Sequence, residues 1–371
     1  MKLLILTAFY PIPGGTHERM FVHVRNRYYQ ENGAKVTVLN FASQTDYTID
    51  GIKVISLGTY ENSNEEYDIA VSHSANVRNH YCFLKKYEVR FKHLVFFFHG
   101  HEVLYLTKDY PKPFSYTPES KLTKLIIQRS YDEFKIRLWK KYYKELAFKS
   151  EFIYVSNWIF NRFQMNTGIT PEELYNHCHV INNSIGEAFE KMSYSITTPK
   201  KYDYITIRSN MDGSKYCVDL VVQLAKENPK ARFLLIGKGQ FFSYNQKPDN
   251  VEWINGTLNH DEMLNYLNSS KCSILLTRED TQGVMTCEIA AFGMPVITSD
   301  IDVCREIFNK ISNVAMISND GKNIPLEDIY GGLAKGLPYQ KCDRYFAKQT
   351  IQKEMNLFYK VINEKKRKEN E

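Results

Sequence analysis

At 371 residues the chain is too long for one ordinary core and suits two domains of about 150 residues each. Its 43% apolar and 24% charged residues are globular proportions that argue against a disordered chain, and its seven cysteines, scattered and never spaced C-x-x-C, argue against a disulfide framework or a zinc site. The net charge of +6 is modest, so it carries information only where it is concentrated.

In chain order, Leu3 to Tyr10 is apolar but lacks the length and cleavage site of a signal peptide, and reads as a first strand. No window reaches the ~20 apolar residues of a spanning helix, the densest run being Leu94 to Phe98, so a cytoplasmic protein without a membrane span is expected. A strand over Lys2 to Thr7, a helix from Glu18 to Asn32, Gly33 and a strand over Lys35 to Asn40 form one βαβ unit. Strands follow at Asp68 to Ser72, His93 to Phe98 and Phe152 to Val155, the pattern of an open parallel sheet. The stretch Gly186 to Tyr202 has no clear period and reads as a linker. Beyond it, strands at Tyr204 to Arg208, Arg232 to Ile236, Val251 to Ile254, Cys272 to Leu276 and Pro295 to Thr298 alternate with helices at Val218 to Glu227, Asp261 to Leu267 and Cys287 to Phe292. The expected division is an α/β domain over 1–185, a linker over 186–202, a second α/β domain over 203–340, and a helix over 341–371 that packs back on the first domain and ends in a charged tail.

Chemistry is expected where strands deliver polar residues to their carboxyl ends. After the first strand, Gly14-Gly15 forms either a turn whose amides approach an anion or a plain tight turn; it lacks the G-x-G-x-x-G of a dinucleotide site. The strand ending at Phe98 delivers His99, placed either to bond a substrate hydroxyl or to be satisfied by backbone groups, with His101 and Glu102 leaving a metal alternative open. The most specific stretch runs from Thr277 to Ile297. A strand end near Thr277, a polar glycine-bearing turn, a small-residue helix and a stop at Gly293 and Pro295 set two carboxylates, Asp280 and Glu288, across a helix N-terminus. Amides there suit phosphate, and the acids suit sugar or ribose hydroxyls.

At these residues the chain resembles the retaining GT-B glycosyltransferases of family 4, of the kind that build bacterial capsule and O-antigen, whose second domain carries an acid, seven residues, then Glu. The resemblance implies two Rossmann-like domains facing an interdomain cleft, with the first acid (here Asp280, where the family usually has Glu) on the donor sugar, turn amides on sugar and diphosphate, and Glu288 on the ribose. It also implies that Gly14 and Gly15 form the family's glycine loop and that His99 is its active-site histidine. Val180 to Ile185 resembles the stretch before the second domain, with Ser184 in place of glycine, and Arg208 with Lys215 resembles the pair that neutralises the diphosphate. That pair is spaced by seven positions here and usually by five. Gly237-Lys238-Gly239 resembles the glycine turn near the nucleotide, with Lys238 an added cation.

The segment Lys121 to Ser150 carries nine basic residues against three acids, with Ile127, Tyr131, Phe134, Leu138 and Tyr142 at helical spacing and Trp139 and Tyr143 adding bulk. It reads either as a basic amphipathic helix that touches anionic membrane or as a core-facing helix with a solvated basic face. Nothing resembles a nucleic-acid recognition module.

The expectation is therefore a glycosyltransferase that moves a sugar with retention from a nucleotide-sugar donor to a saccharide or lipid-linked acceptor in surface polysaccharide biosynthesis. Its catalytic residues are His99, Asp280 and Arg208, and its donor contacts are Gly14, Gly15, Lys215, Lys238, Thr281, Gln282, Gly283, Val284 and Glu288. No cofactor, bound metal or nucleic acid is expected. A nucleotide-sugar epimerase of the same architecture and an inactive nucleotide-sugar-binding module are the alternatives.

Overall fold

The computed structural model describes residues 1–14, 19–320 and 324–368, with the side chains of 365–368 left aside. The chain forms two compact units: Met1–Tyr105, Tyr131–Ser184 and Arg344–Glu371 make the first, Leu106–Ser130 and Ile185–Asp343 the second.

The first unit holds β1 (Lys2–Thr7), β2 (Lys35–Asn40), β3 (Tyr47–Ile49), β4 (Ile52–Ile55), β5 (Ile69–His73), β6 (His93–Phe98), β7 (Ser150–Tyr154) and β8 (Cys178–Val180) in one sheet of order β3-β4-β2-β1-β5-β6-β7-β8. All neighbours are parallel except β3 against β4. Central strands of such a sheet are covered on both faces, which is why β1 runs Leu3-Leu4-Ile5-Leu6 without alternation and buries all four side chains fully. Each such side chain contributes up to about 1.5–3 kcal/mol of transfer free energy. The β3–β4 hairpin was not expected. It turns at Asp50-Gly51, both at positive φ (47° and 77°), the dipeptide and conformation that a two-residue hairpin requires.

The second unit holds β9 (Tyr202–Asn210), β10 (Phe233–Lys238), β11 (Val251–Ile254), β12 (Ser270–Leu275), β13 (Val296–Ser299) and β14 (Val314–Ile317) in an all-parallel sheet of order β11-β10-β9-β12-β13-β14. The Val218–Glu227 helix lays Val218, Val221, Val222 and Ala225, one face at helical spacing, into a core with Phe233 and Leu235.

Two boundaries differ from the sequence reading. The stretch 186–202 is not a free linker. Its Glu187–Lys191 helix packs on the Val284–Phe292 helix, and Tyr194 donates its N–H to the Phe292 carbonyl (2.8 Å) and its hydroxyl to the Ser270 carbonyl (2.7 Å). Leu106–Ser130 joins the second unit because its aromatics find partners there. Phe114 packs edge-on to Phe241, while Tyr116 stacks on Tyr244 at 4.4 Å and donates to Asp212 at 2.8 Å. The C-terminal Ile351–Lys368 helix lies in the first unit against the Met20–Glu31 helix, where Glu354 accepts from Arg25 (3.0 Å) and Tyr29, all fully buried.

The Leu122–Leu146 helix is phased differently from either reading. Trp139, Tyr142 and Tyr143 are buried in an aromatic cluster with Tyr81 and Phe96, so Trp139 is no surface anchor. Lys135, counted with the basic face, is 1% exposed. Ile127 and Phe134 are instead 68% and 55% exposed.

Candidate functional site

In the second unit, β9 carries Arg208 into the core beside the end of β12. Its guanidinium donates to the Leu276 carbonyl at 2.5 Å, stacks 5.0 Å from the Tyr216 ring, and leaves Nε buried without a partner. No carboxylate forms an ion pair with it among the described residues. Burial pulls its pKa down and the nearby Asp280 charge pulls it back up. Lys215, in the Ser214–Tyr216 turn after β9, points its ammonium over Tyr216 (4.8 Å) and Tyr110 (5.5 Å). Burial opposes its charge, but Tyr216, Asp280 and Tyr110 together outweigh burial and hold its pKa above the usual value. Arg208, Lys215 and Asp280 therefore share one electrostatic neighbourhood.

The neighbouring turn is built by local bonding. Thr277 donates its amide N–H to the Ser299 hydroxyl (2.8 Å) and its own hydroxyl to Lys215 O and Glu279 O. Arg278 forks onto the Asp219 carboxylate (2.9 and 2.6 Å) and so ties the loop to the start of the Val218–Glu227 helix. Asp280 Oδ1 accepts from the Thr281 amide (2.7 Å) and the Gln282 amide (3.4 Å), so its carboxylate folds over its own turn. Gly283 then takes φ 73°, a left-handed conformation suited to glycine, and the Val284–Phe292 helix starts with no side-chain cap. An uncapped N-terminus presents free N–H groups and the positive end of the helix dipole.

Glu288 lies one turn further along this helix. Its Oε1 accepts from the Gly186 amide at 3.0 Å, and burial pushes its pKa up to about 7 against that hydrogen bond. Gly237, the residue before the last of β10, lies against the Arg208 backbone. A Cβ there would lie 2.1 Å from the Arg208 carbonyl oxygen, so glycine is required for this close approach. Lys238 is exposed.

In the first unit, Gly14 turns at φ 67° with open space around it, and Gly15 lies outside the described residues. His99 follows β6. Its amide donates to Glu102 Oε1 (3.1 Å) and the Gly100 amide to Glu102 Oε2 (2.7 Å), so Glu102 is committed to shaping this turn. Lys135 closes it from outside by donating to His101 O, Leu104 O and Asp132. No group of three or more His, Cys, Asp or Glu is placed to hold a metal ion among the described residues. The His99 ring bonds His73 at 3.1 Å and packs on Phe21.

The structure thus brings Arg208, Lys215, Asp280, Thr281, Gln282 and Gly283 together, with Val284 and Glu288 on the adjoining helix, and holds His99 and Gly14 in the other unit. The sequence reading did not single out His73, Tyr110 or Arg278, and it gave Glu102 and Lys135 other parts, a possible metal ligand and a cation of a basic face. His73 alone had a signal, since it ends an apolar strand as His99 does.

Residues 205–324 match the family profile described as Glycosyl transferases group 1. No curated protein sequence matches the chain. Among solved structures, a glycosyltransferase from Rickettsia africae is 12% identical with TM-score 0.67 over 97% of this chain and 98% of that one. Anabaena HepE in complex with UDP and glucose is 14% identical with TM-score 0.64 over 97% and 99%. Sucrose-phosphate synthase from Thermosynechococcus elongatus is 11% identical with TM-score 0.63 over 100% and 98%. The two parallel-sheet α/β units match the GT-B glycosyltransferase fold, and fold and matched domain together support a glycosyltransferase.

Proposed function

We propose that this glycosyltransferase moves a sugar from a nucleotide-sugar donor, with retention of anomeric configuration, to a saccharide or lipid-linked oligosaccharide acceptor in surface polysaccharide biosynthesis. One observation carries the donor assignment. Arg208 buries a charge that has no carboxylate partner among the described residues and leaves Nε unbonded, beside Lys215 and an uncapped helix N-terminus. A buried charge with no anion in direct contact is costly, and a diphosphate supplies that contact. Asp280 stands on the donor sugar and Glu288 on the ribose. Gly283 and Val284 offer amides to the diphosphate, Lys238 adds a surface cation, and Thr281 and Gln282 frame Asp280.

The second unit holds most of the donor and the first most of the acceptor, with the Gly14 turn as a donor contact and His99 bonding a sugar hydroxyl. In the transfer, the acceptor oxygen bonds to the sugar's anomeric carbon as the bond from that carbon to the β-phosphate oxygen breaks. The diphosphate leaves with the bonding pair and takes up the acceptor's proton. Arg208 and Lys215 stabilise the charge that develops on it, a role expected to operate without a bound metal.

Residence in the cytoplasm, with contact to anionic membrane, completes the reading. Leu122, Ile126, Ile127, Tyr131 and Phe134 are all exposed, and at 100° per residue they fall on one side of their helix, with Lys121, Lys124 and Arg129 exposed on the other. No helix among the described residues is long and apolar enough to cross a membrane.

The test is a thermal-shift screen of nucleotide sugars on the full chain, followed by product analysis with the donor that binds. Transfer with retained configuration supports the reading. Free epimerised sugar would make the protein an epimerase, and binding with neither hydrolysis nor transfer would make it a binding module.

A further inference from the structure

Two histidines, His73 buried and His99 partly exposed, sit at adjacent strand ends of the first unit. β5 ends on His73, whose register partner in the parallel strand β6 is Phe97, and His99 lies two residues beyond Phe97. Alternation along an extended chain puts Phe97 and His99 on one side, so the three rings line up. His73 stacks on Phe97 at 4.4 Å and 24°, and Phe97 and His99 are nearly parallel at 12°. His73 Nδ1 lies 3.1 Å from His99 Nε2. His73 is 0% exposed, and its other nitrogen, Nε2, has no partner among the described residues.

Burial holds both imidazoles well below their usual pKa, and the Arg25 and Arg19 charges push the same way, so the pair carries no added proton near neutrality. One ring must then donate to the other, which leaves two tautomer arrangements. If His99 donates from Nε2, the second proton of the pair sits on His73 Nε2, as an N–H with no acceptor in the positive potential of two guanidinium groups. If His73 donates from Nδ1, that position holds a lone pair instead, which the same potential favours. Arg25 lies 5.2 Å from the Phe97 ring on which His73 stacks, and Arg19 bonds Ser74, the next residue after His73, at 2.9 Å.

We propose that His73 is a positioning residue that donates Nδ1–H to His99 Nε2 and so fixes His99 as the tautomer with its proton on Nδ1. This deepens the proposed function and rests on His99 as the histidine that meets substrate. It assigns His99 a defined role: a neutral hydrogen-bond donor to a sugar hydroxyl, with its basic nitrogen already occupied, and not a general base. No bond is made or broken at either ring.

The tautomer is read by ¹⁵N spectra of the full chain labelled at histidine nitrogens, with signals assigned through His99→Gln and His73→Leu. The expected spectrum has His99 Nδ1 protonated and Nε2 unprotonated, and His73 the same, across neutral pH. A proton on His99 Nε2 in the wild type overturns the proposal, and that spectrum decides the tautomer whether or not the chain transfers sugar. His73→Leu is expected to return a proton to His99 Nε2 and to lower kcat roughly 10-fold or more with donor KM unchanged, the cost of removing a hydrogen bond that orients a working histidine. His73→Asn places a side-chain N–H near the same point and is expected to restore most of that loss. Equal kcat in wild type and a folded His73→Leu, or no recovery with His73→Asn over His73→Leu, overturns the positioning role.

Discussion

The Gly186 amide donates to the Glu288 carboxylate at 3.0 Å, tying the 186–202 stretch to the helix that follows the Asp280 turn. Burial pushes Glu288 up to about 7 from 4.5, so the free folded protein holds a proton that the unfolded chain has lost between those values. Its contribution to stability is complete below 4.5 and is lost as pH rises through 7, and Glu288→Gln should gain up to about 3 kcal/mol on wild type over that range. Ribose hydroxyls bond best to the ionised acid, so nucleotide affinity should rise from pH 6 to 8 in the wild type and stay flat in Glu288→Gln. Calorimetric titration at three pH values checks this, and parallel profiles would remove Glu288 from the site.

Arg208→Met should leave the melting temperature unchanged or raised, because it removes a buried charge with no carboxylate in ion-pair contact among the described residues. Turnover should nevertheless fall on the order of a hundredfold, the scale of losing one charge-stabilising donor. A variant that melts early while its surviving folded fraction turns over normally would make Arg208 structural.

Glu354→Ala leaves Arg25 charged and fully buried with, among the described residues, Asn183 and the Phe21 carbonyl as its remaining acceptors. Breaking such a pair costs about 3–5 kcal/mol, to be read from urea unfolding. A loss under about 1 kcal/mol would mean that the C-terminal helix adds little to the first unit.

Activity should survive EDTA, since cations and helix amides are available for the diphosphate. A loss that magnesium or manganese restores would contradict the metal-independent reading.

The exposed apolar residues early in the Leu122–Leu146 helix should drive flotation with anionic liposomes. Attraction of Lys121, Lys124 and Arg129 decays over about 10 Å at 0.1 M salt, so binding should weaken as salt rises. Ile126→Ser/Ile127→Ser/Phe134→Ser should sink while retaining turnover of a soluble acceptor. Equal flotation of variant and wild type would leave this face without a role at lipid.

What the sequence determined by itself was whatever depends on residues close along the chain. Leu3 to Leu6 names a strand covered on both faces, and the eight-residue interval from Asp280 to Glu288 names a turn and the helix after it, because backbone period and capping are local. The Asp50-Gly51 hairpin was legible in the same way and was passed over. Tertiary structure decided where each side chain's burial and partners lie. Lys135 reads as one cation of a basic face until the His101 and Leu104 carbonyls enclose it, and Trp139 reads as a surface anchor until Tyr81 and Phe96 cover it. Arg25 meets Glu354 across 329 positions, and His73 meets His99 only because parallel pairing sets β5 beside β6. Local pattern specifies which way a strand or helix presents its faces. Which distant residues those faces meet depends on strand order and on packing against helices from elsewhere in the chain, and these fix the burial, and through it the charge state, of the residues at the site.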